Sequence, residues 1–224
     1  MIKVDHVEVF NFEGAIRGCR NPMNSWDRSD SYYKIQDDCI CNECCATAGC
    51  SFADSGEYVI GPNDLKLMQT LYKGGPVHAK YLRQIMVSMD ITAPLYWWKE
   101  FDTYKVGTTA NSCSTMHKIH SKEFVLDDFS HEHLDMLGTD VLKEVVKILN
   151  TYRNCYNEAK DKDYWWNMIQ LLPSSYNQKR TITMNYENIM NMLNWRTDHK
   201  LDEWREFCKI LRELPYVKEI RSEK

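Results

Sequence analysis

Several features are missing from this 224-residue sequence, and each absence narrows what it can do. No apolar run approaches the roughly 20 residues a helical membrane span requires, so no membrane partner is expected. A surplus of positive charge is also lacking: 28 Lys and Arg stand against 32 Asp and Glu, a net charge of -4. General nucleic-acid binding needs a concentrated basic surface, so no nucleic-acid partner is expected either, although a local basic pocket is compatible with this balance. The stretch Met1 to His6 is not the apolar start of a secretory signal, and the expected location is cytoplasmic. There is no internal repeat and no low-complexity tract. G-x-S-x-G, the P-loop, G-x-G-x-x-G and H-E-x-x-H are all absent, which removes the commonest hydrolase, nucleotide-loop, dinucleotide and zinc-protease readings. What is present, 43% hydrophobic and 27% charged residues in 26.5 kDa, is a globular composition that predicts one domain over residues 1–224.

The pattern along the chain mixes strands and helices without regular alternation, which predicts an α+β fold. Residues 2–10 alternate as a strand. Residues 13–20 read as a short helix stopped at Asn21-Pro22, and 21–58 as a long polar excursion of the kind that tends to carry function. Pro62 opens a helix bearing Leu65, Met68 and Leu71, closed at Gly74-Gly75-Pro76. Residues 83–91 read as a strand, and Ala93-Pro94 starts an aromatic helix. The small polar stretch 105–116 has neither a helical nor a strand period. The spacing of Leu142, Val145, Leu149, Tyr152 and Tyr156 predicts a long helix over 139–158, with Trp165 and Trp166 packed under it. Residues 179–184 read as a strand, Asn185 as the cap of a helix with Ile189, Met190 and Leu193 inside, and Leu201, Trp204, Cys208 and Leu211 as the inner stripe of the last helix.

Five of the nine cysteines crowd into Cys39, Cys41, Cys44, Cys45 and Cys50. Thiolates at such spacing could ligate zinc, but a zinc ribbon needs a second, separated C-x2-C knuckle that this sequence lacks. A reduced, Cys-rich loop is therefore the favoured reading, and no metal site is predicted. The pairs His117/His120 and His131/His133 have no diagnostic metal spacing.

Two segments are informative together. Ala93-Pro94 leads an aromatic helix into Thr103-Tyr104-Lys105, then Val106-Gly107-Thr108 and Asn111-Ser112-Cys113-Ser114. Downstream, Leu172-Pro173 is followed by Asn185, Asn191 and Arg196 at intervals of twelve, six and five. This order resembles the flavin-dependent thymidylate synthases, whose signature is R-H-R-x-x-S-x-N-x-x-S-x-R-Y after an Ala-Pro helix. His78 stands where that family has a histidine near the flavin, and Ala15 to Arg20 looks like its early Arg-x-x-Arg element. The resemblance runs from about residue 15 to 205.

What it implies is an α+β fold of that family, a mixed sheet with long helices. It implies methylation of dUMP, or a similar pyrimidine nucleotide, with methylenetetrahydrofolate as carbon donor and FAD with NADPH as reductant, in a homotetramer. Arg196 would be the catalytic guanidinium against the uracil ring, favouring the negative charge that makes C5 nucleophilic. Ser114 and Asn111 would contact the nucleotide, and His78, Lys105, Asn185 and Asn191 the FAD. The alternatives are a non-catalytic flavin- or nucleotide-binding homologue, or a related flavoenzyme acting on a different pyrimidine. The sequence departs from the family at its cations. Of the three in the signature only Lys105 remains, Met116 and Ile169 stand at usual arginine positions, and Glu187 reverses another. Each lost charge-assisted hydrogen bond is worth roughly 1.5–3 kcal/mol. Nucleotide binding then calls for substitutes, for which Arg17, Arg20, Arg28, Lys80, Arg83 and Lys118 are available.

Overall fold

The computed structural model describes residues 2–34 and 57–223. These form two compact units, each assembled from several stretches of chain. One comprises Met1–Glu8, Val87–Met184 and Asn191–Ile210, the other Val9–Met86, Asn185–Met190 and Leu211–Lys224. The five clustered cysteines lie outside the described residues.

The first unit is built on a four-stranded sheet in the order β1 (Lys3–Phe10), β4 (Met86–Pro94), β6 (Asn177–Asn185), β5 (Thr109–Ser112). Two more strands, β2 (Tyr32–Tyr33) and β3 (Tyr58–Val59), pair antiparallel by themselves in the second unit. Strand β4 buries every second residue, Val87, Met89, Ile91 and Ala93, as period-two alternation demands. The stretch 105–116, which has neither a helical nor a strand period in the sequence, contains β5. It runs antiparallel to β6 with Asn111 opposite Thr181. All four β5 residues are exposed, so no apolar alternation marks the strand in the sequence; it forms because β6 offers a ladder.

Helix α3 (Leu95–Phe101) follows β4 directly, with Pro94 as its N-cap rather than its first helical residue. Its Trp97, Trp98 and Phe101 are buried with Trp204 and Phe207 of α8 (Asp202–Arg212), and Trp97 and Trp204 have ring centroids 4.8 Å apart. The long helix α5 (Met136–Ala159) is capped by Asp135, whose carboxylate accepts from the Gly138 N–H at 2.8 Å. It packs on α6 (Lys162–Leu171) over a core of Phe124, Phe129, Leu142, Leu149 and Met168. Of the two tryptophans expected beneath it, Trp165 joins this core, whereas Trp166, turned about 100° away on the helix, is 44% exposed.

The second unit packs α1 (Phe12–Arg20) and α2 (Pro62–Lys73) together, with α9 (Val217–Arg221) against α2. Helix α9 is a further element beyond the helix expected to be last; at five residues it is too short for a periodic signal. Tyr186, which opens α7 (Tyr186–Arg196), packs edge-on against Phe12 and donates its hydroxyl to the Pro215 carbonyl at 2.7 Å. Asn185 caps α7 as expected, its side-chain oxygen 3.1 Å from the Asn188 N–H.

Candidate functional site

Two features of the first unit carry chemistry. The first surrounds Arg196, at the C-terminal end of α7. Its Nε donates to the Tyr104 hydroxyl at 3.0 Å and its Nη1 to Oε2 of Glu100 at 2.7 Å. The guanidinium carbon lies 5.0 Å from the Trp204 ring centre and 5.7 Å from that of Tyr104. His199 brings its Nε2 to 3.2 Å from the same Glu100 oxygen, while its Nδ1 accepts from the Leu201 N–H at 3.2 Å. That backbone bond leaves the proton on Nε2, aimed at Glu100. The side chains stay partly open, 21% exposed for Arg196 and 39% for Glu100. A carboxylate that accepts and a guanidinium that donates thus stand side by side on an aromatic floor. Such a pair is matched to a ring edge that alternates acceptors with a donor, and its aromatic neighbours suit a flat ligand.

The second feature is a cleft of about 580 Å³ around Ser114, where β5 gives way to α4 (Thr115–Lys118). The Ser114 hydroxyl accepts from the His117 N–H at 3.0 Å, capping α4. Phe124 and Tyr176 supply aromatic wall, Gln178 an amide, and four lysines positive charge. Three of those lysines are paired. Lys122 meets Asp128 at 2.6 Å, Lys179 meets Asp90 at 2.8 Å, and Lys3 meets Asp5 at 3.2 Å. Hydrogen bonds from Lys179 and Thr181 hold the Asp90 carboxyl down to about 2, so that pair is fully ionised at neutral pH.

Of the residues singled out in the sequence, Ser114 lines the cleft and Arg196 forms the aromatic cage. Lys105 and Asn111 are exposed in the segment that leads into Ser114, and Asn191 is exposed on α7. Five residues separate Asn191 from Arg196, which turns them about 140° apart on the helix; the cage around Arg196 is therefore completed by Glu100 and Tyr104 instead. In the second unit, His78 is exposed beside Gly74, and Asn185 is buried as a cap. Of the substitute cations, Arg20 is buried against Asp64 and Arg83 is 2.7 Å from Glu187. Lys118 reaches the cleft. Glu100, Tyr104, Trp204 and His199 were not singled out as site residues. Their only signal was position, on the aromatic helix and just beyond Arg196. No group of three or more His, Cys, Asp or Glu placed to hold a metal occurs among the described residues. Three histidines of the pairs His117/His120 and His131/His133 have partners of their own. His133 meets Asp202 at 3.0 Å, His131 the Phe129 carbonyl at 2.7 Å, and His120 packs on Tyr156. No described helix is long and apolar enough to cross a membrane.

No protein-family model matches the sequence, and no curated protein matches it. Among solved structures, the fold is similar to thymidylate synthase X (ThyX) from Helicobacter pylori, crystallised with FAD and dUMP, at a TM-score of 0.64 and 16% identity. That match covers 99% of this chain and 97% of the other. A second structure, flavin-dependent thymidylate synthase ThyX from the same organism complexed with FAD and dUMP, gives a TM-score of 0.63 at 16% identity, over 98% and 96% of the two chains. The likeness is one of fold: the chain has the mixed helix-and-sheet architecture of the flavin-dependent thymidylate synthases from end to end.

Proposed function

We propose that this chain is a flavin-dependent enzyme that methylates a uridine monophosphate at C5, of the flavin-dependent thymidylate synthase type, and that the whole chain works as one module. The observation that carries the reading is the Arg196–Glu100 pair on its aromatic floor, within a chain-length fold shared with structures that hold FAD and dUMP. A uracil edge presents an N–H between two carbonyls, and that pattern is the complement of a carboxylate beside a guanidinium. Arg196 would donate to a ring carbonyl and stabilise the negative charge that builds on the ring as C5 attacks. Glu100 would accept from the ring N–H, and His199 would hold the Glu100 side chain in place. Asn111 and Ser114 would contact the nucleotide.

The donors present fit a flavin dinucleotide in kind: a Lys105 ammonium, a His78 imidazole and an Asn191 carboxamide are all exposed, while Asn185 is buried with its side-chain oxygen capping α7, which leaves only its amide N–H groups to offer. These residues would hold FAD, which when bound supplies the hydride and one-carbon redox chemistry. NADPH and methylenetetrahydrofolate would be co-substrates, and a homotetramer the assembly.

Purification of the full chain tests this directly. FAD should co-purify, or be taken up to one equivalent, and the loaded protein should release tritium from 5-labelled dUMP. A protein that binds FAD without releasing tritium would be a flavoenzyme with another pyrimidine or a non-catalytic homologue. That second reading is favoured by one observation: Arg196 is already neutralised by Glu100. Failure to bind either FAD or dUMP would reject both.

A further inference from the structure

We infer that the Arg196–Glu100 pair accepts cytosine as readily as uracil, so that a cytidine monophosphate is a second ligand of this site; this rests on the pyrimidine nucleotide reading above. Both bases offer a carbonyl at O2, and a guanidinium can donate to it in either case. They differ along the rest of the edge. Uracil shows an N–H at N3 and a carbonyl at O4, cytosine a bare N3 and an exocyclic amine at N4. A carboxylate only accepts. It can meet the N3–H of uracil or the N4 amine of cytosine, but neither O4 of uracil nor N3 of cytosine. A site that refuses cytosine must therefore hold a fixed donor against O4, so that the N4 amine would meet a donor and leave it unpaired.

The donors around this pair are nearly all spent. Nη1 of Arg196 and Nε2 of His199 meet one and the same Glu100 oxygen, Oε2, at 2.7 and 3.2 Å. Nε of Arg196 is given to the Tyr104 hydroxyl at 3.0 Å. The indole N–H groups of Trp97 and Trp204 are buried within the aromatic cluster, out of a ligand's reach. Oε1 of Glu100, which only accepts, and Nη2 of Arg196, which only donates, have no hydrogen-bond partner among the described residues. The Tyr104 hydroxyl keeps its own proton and can turn to give or to take, so it answers O4 and the N4 amine alike. One fixed acceptor and one fixed donor satisfy uracil at N3–H and O2, and cytosine at N4 and O2. Among the described residues no fixed donor is left over to reject the amine. Charge favours cytosine further. The carboxylate attracts an amine, whereas at the N3–H of uracil it lies beside two carbonyl oxygens that it repels.

Calorimetric titration of the full chain with dUMP and with dCMP, FAD being present, tests this. The wild type should bind dCMP within about tenfold of dUMP, or more tightly, where a site built around O4 would separate the two by about 10⁴-fold or more. Glu100→Gln should break the parity. With the amide oxygen kept by Arg196, an N–H takes the place of Oε1, a donor that suits O4 and opposes the N4 amine. Affinity for dCMP should fall by about tenfold or more, the value of one charge-assisted hydrogen bond, while dUMP is held or tightened. Wild-type binding of dCMP more than about tenfold weaker than dUMP overturns the inference and leaves the uridylate reading standing. An equal change for both ligands in Glu100→Gln, or none, overturns it as well, because Glu100 would then not be reading the base. Binding of dCMP with refusal of dUMP keeps the inference and rejects the uridylate reading, and binding of neither rejects both.

Discussion

Two arginine–carboxylate pairs, Arg20–Asp64 in one unit and Arg196–Glu100 in the other, use the same chemistry for opposite ends. Arg20 donates its Nε to Asp64 at 2.8 Å and sets Nη2 at 2.7 Å from the same oxygen. The second Asp64 oxygen accepts from the hydroxyls of Ser29 and Ser31 at 2.7 and 2.6 Å and from the N–H groups of Asp30 and Ser31. Asp30 answers by accepting from the N–H groups of Asn63 and Asp64 at the start of α2. The pair is closed off from water, with side chains 7% and 0% exposed, and both Asp64 oxygens accept hydrogen bonds. Arg196 and Glu100 are 21% and 39% exposed and keep room for another partner. A buried pair whose carboxylate is held on both oxygens fixes structure, because nothing can replace its partners without cost. A half-open pair can exchange one partner for a ligand.

The largest expected effect follows from the closed pair. Asp64→Ala should leave the Arg20 charge buried and unanswered and should release Ser29, Ser31 and the start of α2 together. Loss of one partner of such a pair costs about 3–5 kcal/mol, a fall in Tm on the order of 10 °C for a chain of this size. Calorimetric melting checks it; a change below one degree would mean that the network is not what fixes this unit. The same pair gives a pH signature. Burial alone would raise the Asp64 carboxyl, but the hydrogen bonds from Ser31, Ser29 and Arg20 outweigh it and hold it below the ordinary carboxylate value. A carboxyl that ionises more readily when folded contributes stability above its unfolded pKa of about 3.9 and loses it as pH falls through the folded value. Wild-type stability should therefore drop below about pH 4, and Asp64→Asn should lack that part of the acid limb.

The open pair should show its largest effect in rate rather than in stability. Arg196→Ala should reduce tritium release from 5-labelled dUMP by about 10²–10³-fold, the usual consequence of removing one electrostatic stabiliser of a developing anion. Its Tm should shift by no more than about 2–4 °C, since a partly exposed pair is worth at most about 1 kcal/mol. Turnover at the parental rate would remove Arg196 from the chemistry.

The contrast between the two pairs was only half legible in the sequence. Helices such as α2 and α5, and strand β4, announce themselves because burial imposes a period on their residues. The order Asn185, Asn191, Arg196 survives as spacing because those residues are tied to the start and end of one helix. What spacing cannot carry is which carboxylate meets which guanidinium. Glu100 and Arg196 are 96 residues apart, and Arg20 and Asp64 are 44 apart, so each pairing is settled only when the helices pack. The same reason hid β5, whose exposed residues Thr109, Ala110, Asn111 and Ser112 are ordered by a neighbouring strand and not by their own pattern. Asn191 shows the converse failure. Its interval from Arg196 was readable, but an interval of five on a helix separates two side chains rather than uniting them.

Glu100→Gln makes the finest distinction, with the smallest expected effect. The amide keeps an oxygen that can accept from Arg196 and removes the charge that neutralises it. If the pair is held open for a ligand, the variant should lose no more than about 1 kcal/mol of stability, because water still reaches both groups. The Arg196 guanidinium should then face the uracil ring with its charge uncompensated, so dUMP should bind as tightly as before or more tightly. A buried structural pair predicts the reverse: a large loss of stability together with a loss of binding. Thermal melting and dUMP titration of this one variant, run beside Asp64→Asn, therefore decide whether the exposure difference between the two pairs marks a difference in role.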